Sequence, residues 1–292
     1  MEILGLLLAT VGAIGLAGQA LFTRSATIEG ESSHVVFYVL LIHVIILIPL
    51  AIIFSPDMTL TRKSVLLFGT AGIVSTMLGR AFFFAGIKRI GASRAEPIKG
   101  SMPLFATSFA VILLGETVSL VQFIGIITIL SGLIIFSYEG RNSGKPNSSY
   151  IGFLFPLIAA VLYGFEPILA SLGFAEGTSI LDGLVVKSVA ALMTYSLYIL
   201  YDGQLNAIKS IKSDQIHWYI LSGISATIFL LGYYSALNIT RVGIVTPITQ
   251  ISPLFVIVGG VIFFKGQEVV NRSIILGALV VVIGSIIVAL SG

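Results

Sequence analysis

Apolar residues along this 292-residue chain fall into runs of about 20, separated by short polar stretches. That is the length a helix needs to cross a bilayer. The runs predict ten membrane-spanning helices, at roughly 3–23, 35–54, 64–86, 92–114, 119–138, 151–172, 180–201, 216–238, 242–264 and 271–290. The longest polar stretches are Tyr138 to Ser149 and Tyr201 to Asp214, so no soluble domain fits between the spans. The first run begins Met1-Glu2, without the positive start of a signal peptide, and is read as a mature helix. Its Gly5, Ala9, Ala13 and Ala17 recur every fourth position, a small-residue face suited to close helix packing in lipid.

Composition agrees with this pattern. Hydrophobic residues make up 57% of the chain and charged residues 10%, against about a quarter charged in a soluble domain; mean hydropathy is +1.07. A water-soluble fold would have to expose that apolar excess. A soluble enzyme, a disordered chain and a nucleic-acid partner are therefore excluded as readings. The pI near 9.1 reflects 16 Lys and Arg against 13 Asp and Glu, without a basic cluster. There is no cysteine, hence no disulfide framework or thiolate metal site. The expected partners are the lipid bilayer and a small-molecule substrate; no metal or cofactor is expected.

The polar stretch 139–149 divides the chain into two similar halves, 2–138 and 150–291. Lys88-Arg89-Ile90-Gly91 followed by Pro97-Ile98-Lys99-Gly100-Ser101-Met102-Pro103 parallels Thr240-Arg241-Val242-Gly243 followed by Pro247-Ile248-Thr249-Gln250-Ile251-Ser252-Pro253. Glu116, Gly125 and Gly132 match Glu268, Gly277 and Gly284, each 152 residues later, and Gly5 and Gln19 match Gly152 and Glu166, each 147 later. Five spans per half is an odd number, so the second copy inserts upside down. The expected fold is all-α and integral to the membrane: ten transmembrane helices as two inverted five-helix repeats. Inverted repeats characterise secondary transporters, with the substrate site between the halves near the midplane.

With the two Pro-containing spans, four and nine, and the Leu114-Gly115-Glu116 turn leading to Gly125 and Gly132, the chain resembles the EamA-type ten-helix members of the drug/metabolite transporter superfamily. The second copy of that turn, Gly266-Gln267-Glu268, is a degraded one. The resemblance implies transport of small solutes, which in the family range over amino acids, sugars, nucleotide-linked metabolites and drugs. It also implies both termini in the cytoplasm and a basic residue after the Gly-Glu turn, where this chain has Thr117. Loop charge points the other way. Arg62, Lys63 and Arg241 lie on the side of the termini, against Arg24, Lys88, Arg89, Arg141, Lys145, Lys209, Lys212, Lys265 and Arg272 opposite, and the positive-inside rule then places the termini outside.

Candidate site residues follow from what lipid penalises. A proline leaves unpaired the carbonyl four residues before it, and in lipid that carbonyl must be received by protein or by a wet cavity. Pro97, Pro103, Pro247 and Pro253 mark spans four and nine as path-lining or simply kinked, and Pro167 does the same in span six. Ionisable residues inside spans are site candidates by default. Arg80 and Lys99 each lie eight residues from a loop on the same face, roughly 12 Å deep at 1.5 Å per residue. They suit a carboxylate or phosphate; a structural ion pair with Glu96 is the alternative. Glu166 is read as a proton-coupling or amine-binding site, or as a pair with Lys187. Gln19, its repeat partner, offers a neutral contact, and Thr249 and Gln250 occupy the turn mirrored from Lys99. His43 is read as a hydrogen-bonded helix–helix contact rather than a ligand. Phe82-Phe83-Phe84 and Tyr233-Tyr234 are read as packing or cavity wall, and the glycines Gly125, Gly132, Gly277 and Gly284 as a close helix seam or a homodimer face.

These features predict a secondary transporter of a small polar metabolite in the cell membrane, amino-acid-like or otherwise anionic, working by alternating access. The rivals are a membrane enzyme acting on lipid, for which no HExxH or GxSxG motif is present, and a non-transporting scaffold.

Overall fold

A computed structural model describes residues 2–27, 32–90, 98–137, 150–203, 216–263 and 272–291. Among the described residues every regular element is helical. The first half comprises α1 (Glu2–Thr27), α2 (Ser32–Phe54), α3, α4 and α5 (Leu120–Ser137). α3 runs through Arg62–Ala71, a π-helical stretch Gly72–Gly79 and Arg80–Ile90. α4 joins Met102–Phe109 to a π-helical end, Ala110–Leu114. The second half comprises α6 (Tyr150–Ala175), α7 (Ile180–Tyr201), α8 (Ile216–Ile239), α9 (Val242–Thr249 continuing as Ser252–Phe263) and α10 (Arg272–Leu290). Among the described residues seven stretches are long and apolar enough to cross a membrane by length and composition; Met102–Leu114, Leu120–Ile135 and Ile275–Leu290 are shorter apolar helices. The ten helices stand where the hydrophobic runs predict them. Glu96, Pro97, the linker 139–149 and Glu268 lie outside the described residues, as does the Pro253 side chain.

Helix ends follow local chemistry. Thr61 Oγ1 accepts from the Ser64 N–H at 3.0 Å and Ser64 Oγ accepts from the Thr61 N–H at 3.0 Å, a reciprocal cap that starts α3. Ser179 caps α7 by accepting from the Asp182 N–H at 3.1 Å. α6 stays helical through Pro156 and Pro167.

Packing is mainly between halves, and it is mirrored. α1 lies along α8 as α6 lies along α3; α1 meets α9 as α6 meets α4; α2 meets α8 as α7 meets α3. The pairs α2–α7, α4–α9 and α5–α10 are their own mirrors. This is the arrangement of two inverted five-helix repeats. Small residues let backbones meet where no hydrophobic force separates helix from lipid. A Cβ on Gly232 would stand 2.7 Å from Gly12 N, and one on Gly132 would stand 2.8 Å from Gly277 O. Ala9, Ala13 and Ala17 of the predicted small face are buried. The heptad-spaced glycines thus form the α5–α10 seam within the chain. Large apolar side chains such as Leu7, Ile45, Ile52, Leu66, Ile112 and Leu197 point outward, as an integral membrane protein facing lipid requires.

Candidate functional site

α6 places Tyr163 and Glu166 three residues apart, on one face. Glu166 Oε1 accepts hydrogen bonds from Lys187 Nζ of α7 and, at 2.7 Å, from the Tyr234 hydroxyl of α8. Lys187 Nζ also sits 4.7 Å from the centroid of the Tyr234 ring. The side chains of Lys187 and Glu166 are only 6% and 13% exposed, so this charge pair stands almost dry. The pairing read from depth in the sequence is present; Tyr234, which sequence left as packing or wall, completes it.

One turn further along the same face of α6, Arg80 of α3 comes within electrostatic reach of Tyr163. Arg80 and Lys99 are both half-buried and both lie within electrostatic reach of Tyr163. Lys99 Nζ rests 4.7 Å from the centroid of Phe83, three residues after Arg80. The two cations that sequence placed at one depth are thus brought to one region. His43 of α2 is buried, its Nε2 has no hydrogen-bond partner among the described residues, and it lies within electrostatic reach of both Lys187 and Arg80. Glu166, Lys187 and Tyr234, with Tyr163 and its neighbours Arg80 and Lys99 one turn away along α6, together make a polar column inside the helix bundle. The first half supplies α3 and the segment leading into α4; the second half supplies α6, α7 and α8.

The proline positions resolve into different roles. The chain turns at Gly100-Ser101 ahead of α4 and at Gln250-Ile251 within α9. At both turns the bonds are of the i to i−3 kind: Ser101 N to Ile98 O at 3.1 Å, and Gln250 N to Pro247 O at 3.0 Å. Pro103 and Pro253 each follow such a turn, so spans four and nine are broken rather than merely bent. The Gly243 carbonyl released by Pro247 accepts from Gln122 Nε2 of α5 at 2.8 Å, so protein receives it. Thr249 is buried and donates to the Thr246 carbonyl at 2.7 Å, while Gln250 is half-buried at the turn. Gln19 is half-buried on α1 and forms no hydrogen bond with the column among the described residues.

Two features escaped sequence reasoning. Glu116, noted as a repeat match and as part of the turn that carries the family resemblance, accepts from the backbone N–H groups of Val242 and Gly243 at 2.8 and 3.0 Å. It caps α9 with a carboxylate, where the helix dipole favours negative charge. The αL conformation of Gly115, φ +69°, turns the chain so that Glu116 can reach. Asp182, just inside α7, accepts from Thr59 and Ser55 of the α2–α3 connection. The available signal was its place as the first charge inside span seven.

Comparison with known proteins accords with this architecture. The model of the EamA-like transporter family matches residues 3–138 and 150–290. A protein described as an uncharacterized transporter from Archaeoglobus fulgidus is 22% identical over 289 residues, covering 98% of each chain. A solved crystal structure, 16% identical, aligns with a TM-score of 0.81 over 98% of this chain and 96% of its own; at that identity the likeness shows the fold. With both halves matched, the chain belongs to the EamA-like transporter family, within the drug/metabolite transporter superfamily, and is a multi-pass integral membrane transporter.

Proposed function

We propose that the protein carries a small polar solute, amino-acid-like or otherwise anionic, across the cell membrane by alternating access between its two halves. The observation that supports this reading is the polar column, with groups from both halves meeting where lipid-facing helices otherwise present apolar side chains. A cation at membrane depth costs about 2.5–3.5 kcal/mol on insertion scales, so Arg80 calls for an anionic or strongly polar companion. Among the described residues Tyr163 lies near it and no carboxylate pairs with it. A substrate carboxylate or phosphate between Arg80 and Lys99 fits the planar fork of Arg and the point charge of Lys. An amine on the same solute would meet Glu166, competing with Lys187 for its oxygen. Rocking of the halves about this column would expose it to one face at a time.

The test replaces Arg80 and Lys99 singly with Gln. Binding of L-serine, inorganic phosphate and tetraethylammonium is read by thermal shift, because a ligand selective for the folded state raises the unfolding temperature; uptake is followed in proteoliposomes. The expected result is that L-serine or phosphate protects the parent and that protection falls at least about tenfold in concentration in each variant, the loss of one charge-assisted contact. If only tetraethylammonium protects the parent, or if anionic solutes protect the variants equally well, the anionic reading is wrong.

A further inference from the structure

The tetrapeptide Glu29-Gly30-Glu31-Ser32, which ends on the first residue of α2, is matched 147 residues later at three of four positions by Glu176-Gly177-Thr178-Ser179 ahead of α7. Three residues past the serine, the first copy has Val35 and the second has Asp182. Val35 is buried in an apolar cluster with Val39 and Tyr219. The repeat therefore builds this helix start with a valine, and nothing in the helix start itself demands a carboxylate.

Asp182 has a different set of neighbours. Its Oδ2 accepts from the Thr59 N–H at 2.8 Å, the Thr59 hydroxyl at 2.8 Å and the Ser55 hydroxyl at 3.1 Å. Ser55 Oγ and Ser179 Oγ share a hydrogen bond at 2.9 Å, and the Ser179 N–H donates to Thr59 Oγ1 at 2.6 Å. Thr178 donates to the Thr59 carbonyl at 3.3 Å, and Lys63 pairs with Glu176 at 2.7 Å. Every one of these contacts joins residues 55–63 of the first half to residues 176–182 of the second. The junction lies on the face that carries the termini. Just inside it, Phe68 is fully buried against Phe174 and Tyr234, at centroid distances of 5.3 and 6.4 Å. Tyr234 in turn holds Glu166. Asp182 and Lys187 are five residues apart on α7, roughly 7.5 Å along the axis.

We propose that this junction is a one-sided latch: Asp182, with Ser55, Thr59 and Ser179, holds the termini face closed over the Glu166–Lys187 pair, and its release opens the path on that face. The inference rests on the transport reading above and adds to it the groups that control access. Asp182 is buried, but its partners Ser55 and Ser179 are half-buried and Thr59 is exposed, and hydrogen bonds at such an edge exchange for bonds to water at small net cost. A junction made of them can part and re-form, whereas the backbone-close α1–α8 and α5–α10 seams cannot part without leaving voids between helices. The carboxylate supplies the directional strength, since bonds to an ionised acceptor are the stronger kind.

The chain has no cysteine, so single thiols report access directly. Ala170→Cys sits one turn from Glu166 toward the termini face, and Ser188→Cys, six residues past Asp182 on α7, is a second reporter. A membrane-impermeant sulfonated maleimide is applied to the termini face of proteoliposomes. Asp182→Asn and, separately, Thr59→Val are expected to raise the labelling rate at both reporters about tenfold, the factor given by loss of one hydrogen bond to a charged group. Unchanged rates in folded variants overturn the latch. A second arm, which leaves Asp182, Ser55, Thr59 and Ser179 intact, bridges Lys63→Cys to Glu176→Cys with a short bismaleimide and follows uptake of radiolabelled L-serine and inorganic phosphate. The bridge is expected to arrest uptake that the unbridged pair sustains, and undiminished uptake overturns the proposal. If the parent carries neither probe, the proposed solute class fails, and the labelling arm still decides the latch.

Discussion

Glu166 and Lys187 illustrate how a buried charge pair differs from a stabilising one. Taking both ions out of water costs as much as their attraction returns, but removing one partner strands the other, at about 3–5 kcal/mol. Among the described residues Lys187→Met leaves the Glu166 carboxylate with the Tyr234 hydroxyl. The unfolding temperature of that variant should fall well below the parent's, and the double variant Glu166→Gln/Lys187→Met should recover much of the difference. Equal unfolding temperatures for the single and double variants would show that the pair is not coupled. The pair was legible in the sequence because depth along two neighbouring spans can be counted from their ends, and charges at membrane depth are few. Tyr234 was not, since a tyrosine in an apolar run reads as packing until its hydroxyl is seen to point at a carboxylate. Tyr163 was hidden for the same reason, although its three-residue spacing from Glu166 put it on the right face. Arg80 and Lys99 were legible as charges, but their ring and hydroxyl neighbours, Phe83 and Tyr163, come from side-chain directions that spacing alone does not fix.

At the scale of the element, prolines told more than any other residue type. Paired positions in spans four and nine announced kinked helices, because the carbonyl that a proline leaves unpaired must be received by protein or water in lipid; the breaks at Gly100-Ser101 and Gln250-Ile251 came from the structure. What receives each freed carbonyl depended on a neighbour distant in sequence: Gln122 for Gly243. The start of α9 is built on two side chains of the α4–α5 region, Glu116 on the N–H groups of Val242 and Gly243 and Gln122 on the Gly243 carbonyl. Glu116→Ala removes both cap bonds, and an N-terminal cap is worth about 0.5–2 kcal/mol. Glu116→Gln keeps one acceptor oxygen and should lose less. Gln122→Leu leaves a buried carbonyl unpaired, costing about 1–3 kcal/mol. Thermal unfolding of the three variants should rank Glu116→Gln above Glu116→Ala, with Gln122→Leu also below the parent. A Glu116→Ala protein as stable as the parent would mean that water caps α9 equally well. Which helix lies beside which was the least legible feature. A helix apolar all round shows no face that names its partner, and lipid is as apolar as the neighbouring helix. Only the glycine and alanine spacings disclosed the seams, and they disclosed a close approach without saying to what.

For the whole molecule, inversion of the halves turns a question about loops into one about orientation. The connections on the termini face are short and tied across the halves, through Glu116 to α9 and through Asp182 to the α2–α3 connection. Their basic residues are Arg62, Lys63 and Arg241, and Lys63 is engaged with Glu176. The opposite connections carry Arg24, Lys88, Arg89, Arg141, Lys145, Lys209, Lys212, Lys265 and Arg272. Insertion holds the Lys- and Arg-rich short loops on the cytoplasmic side, and acidic residues contribute little to that choice. Three against nine is a strong bias for loops this short, and by that rule the termini are expected outside, where the family resemblance implies a cytoplasmic position. Asp57 is exposed on the α2–α3 connection, so Asp57→Cys, in a chain without other cysteines, reads the orientation directly. Intact cells treated with a membrane-impermeant maleimide should label it without permeabilisation. Labelling only after permeabilisation would place the termini and the Asp182 junction in the cytoplasm, and would show that something other than loop charge sets the insertion of this repeat.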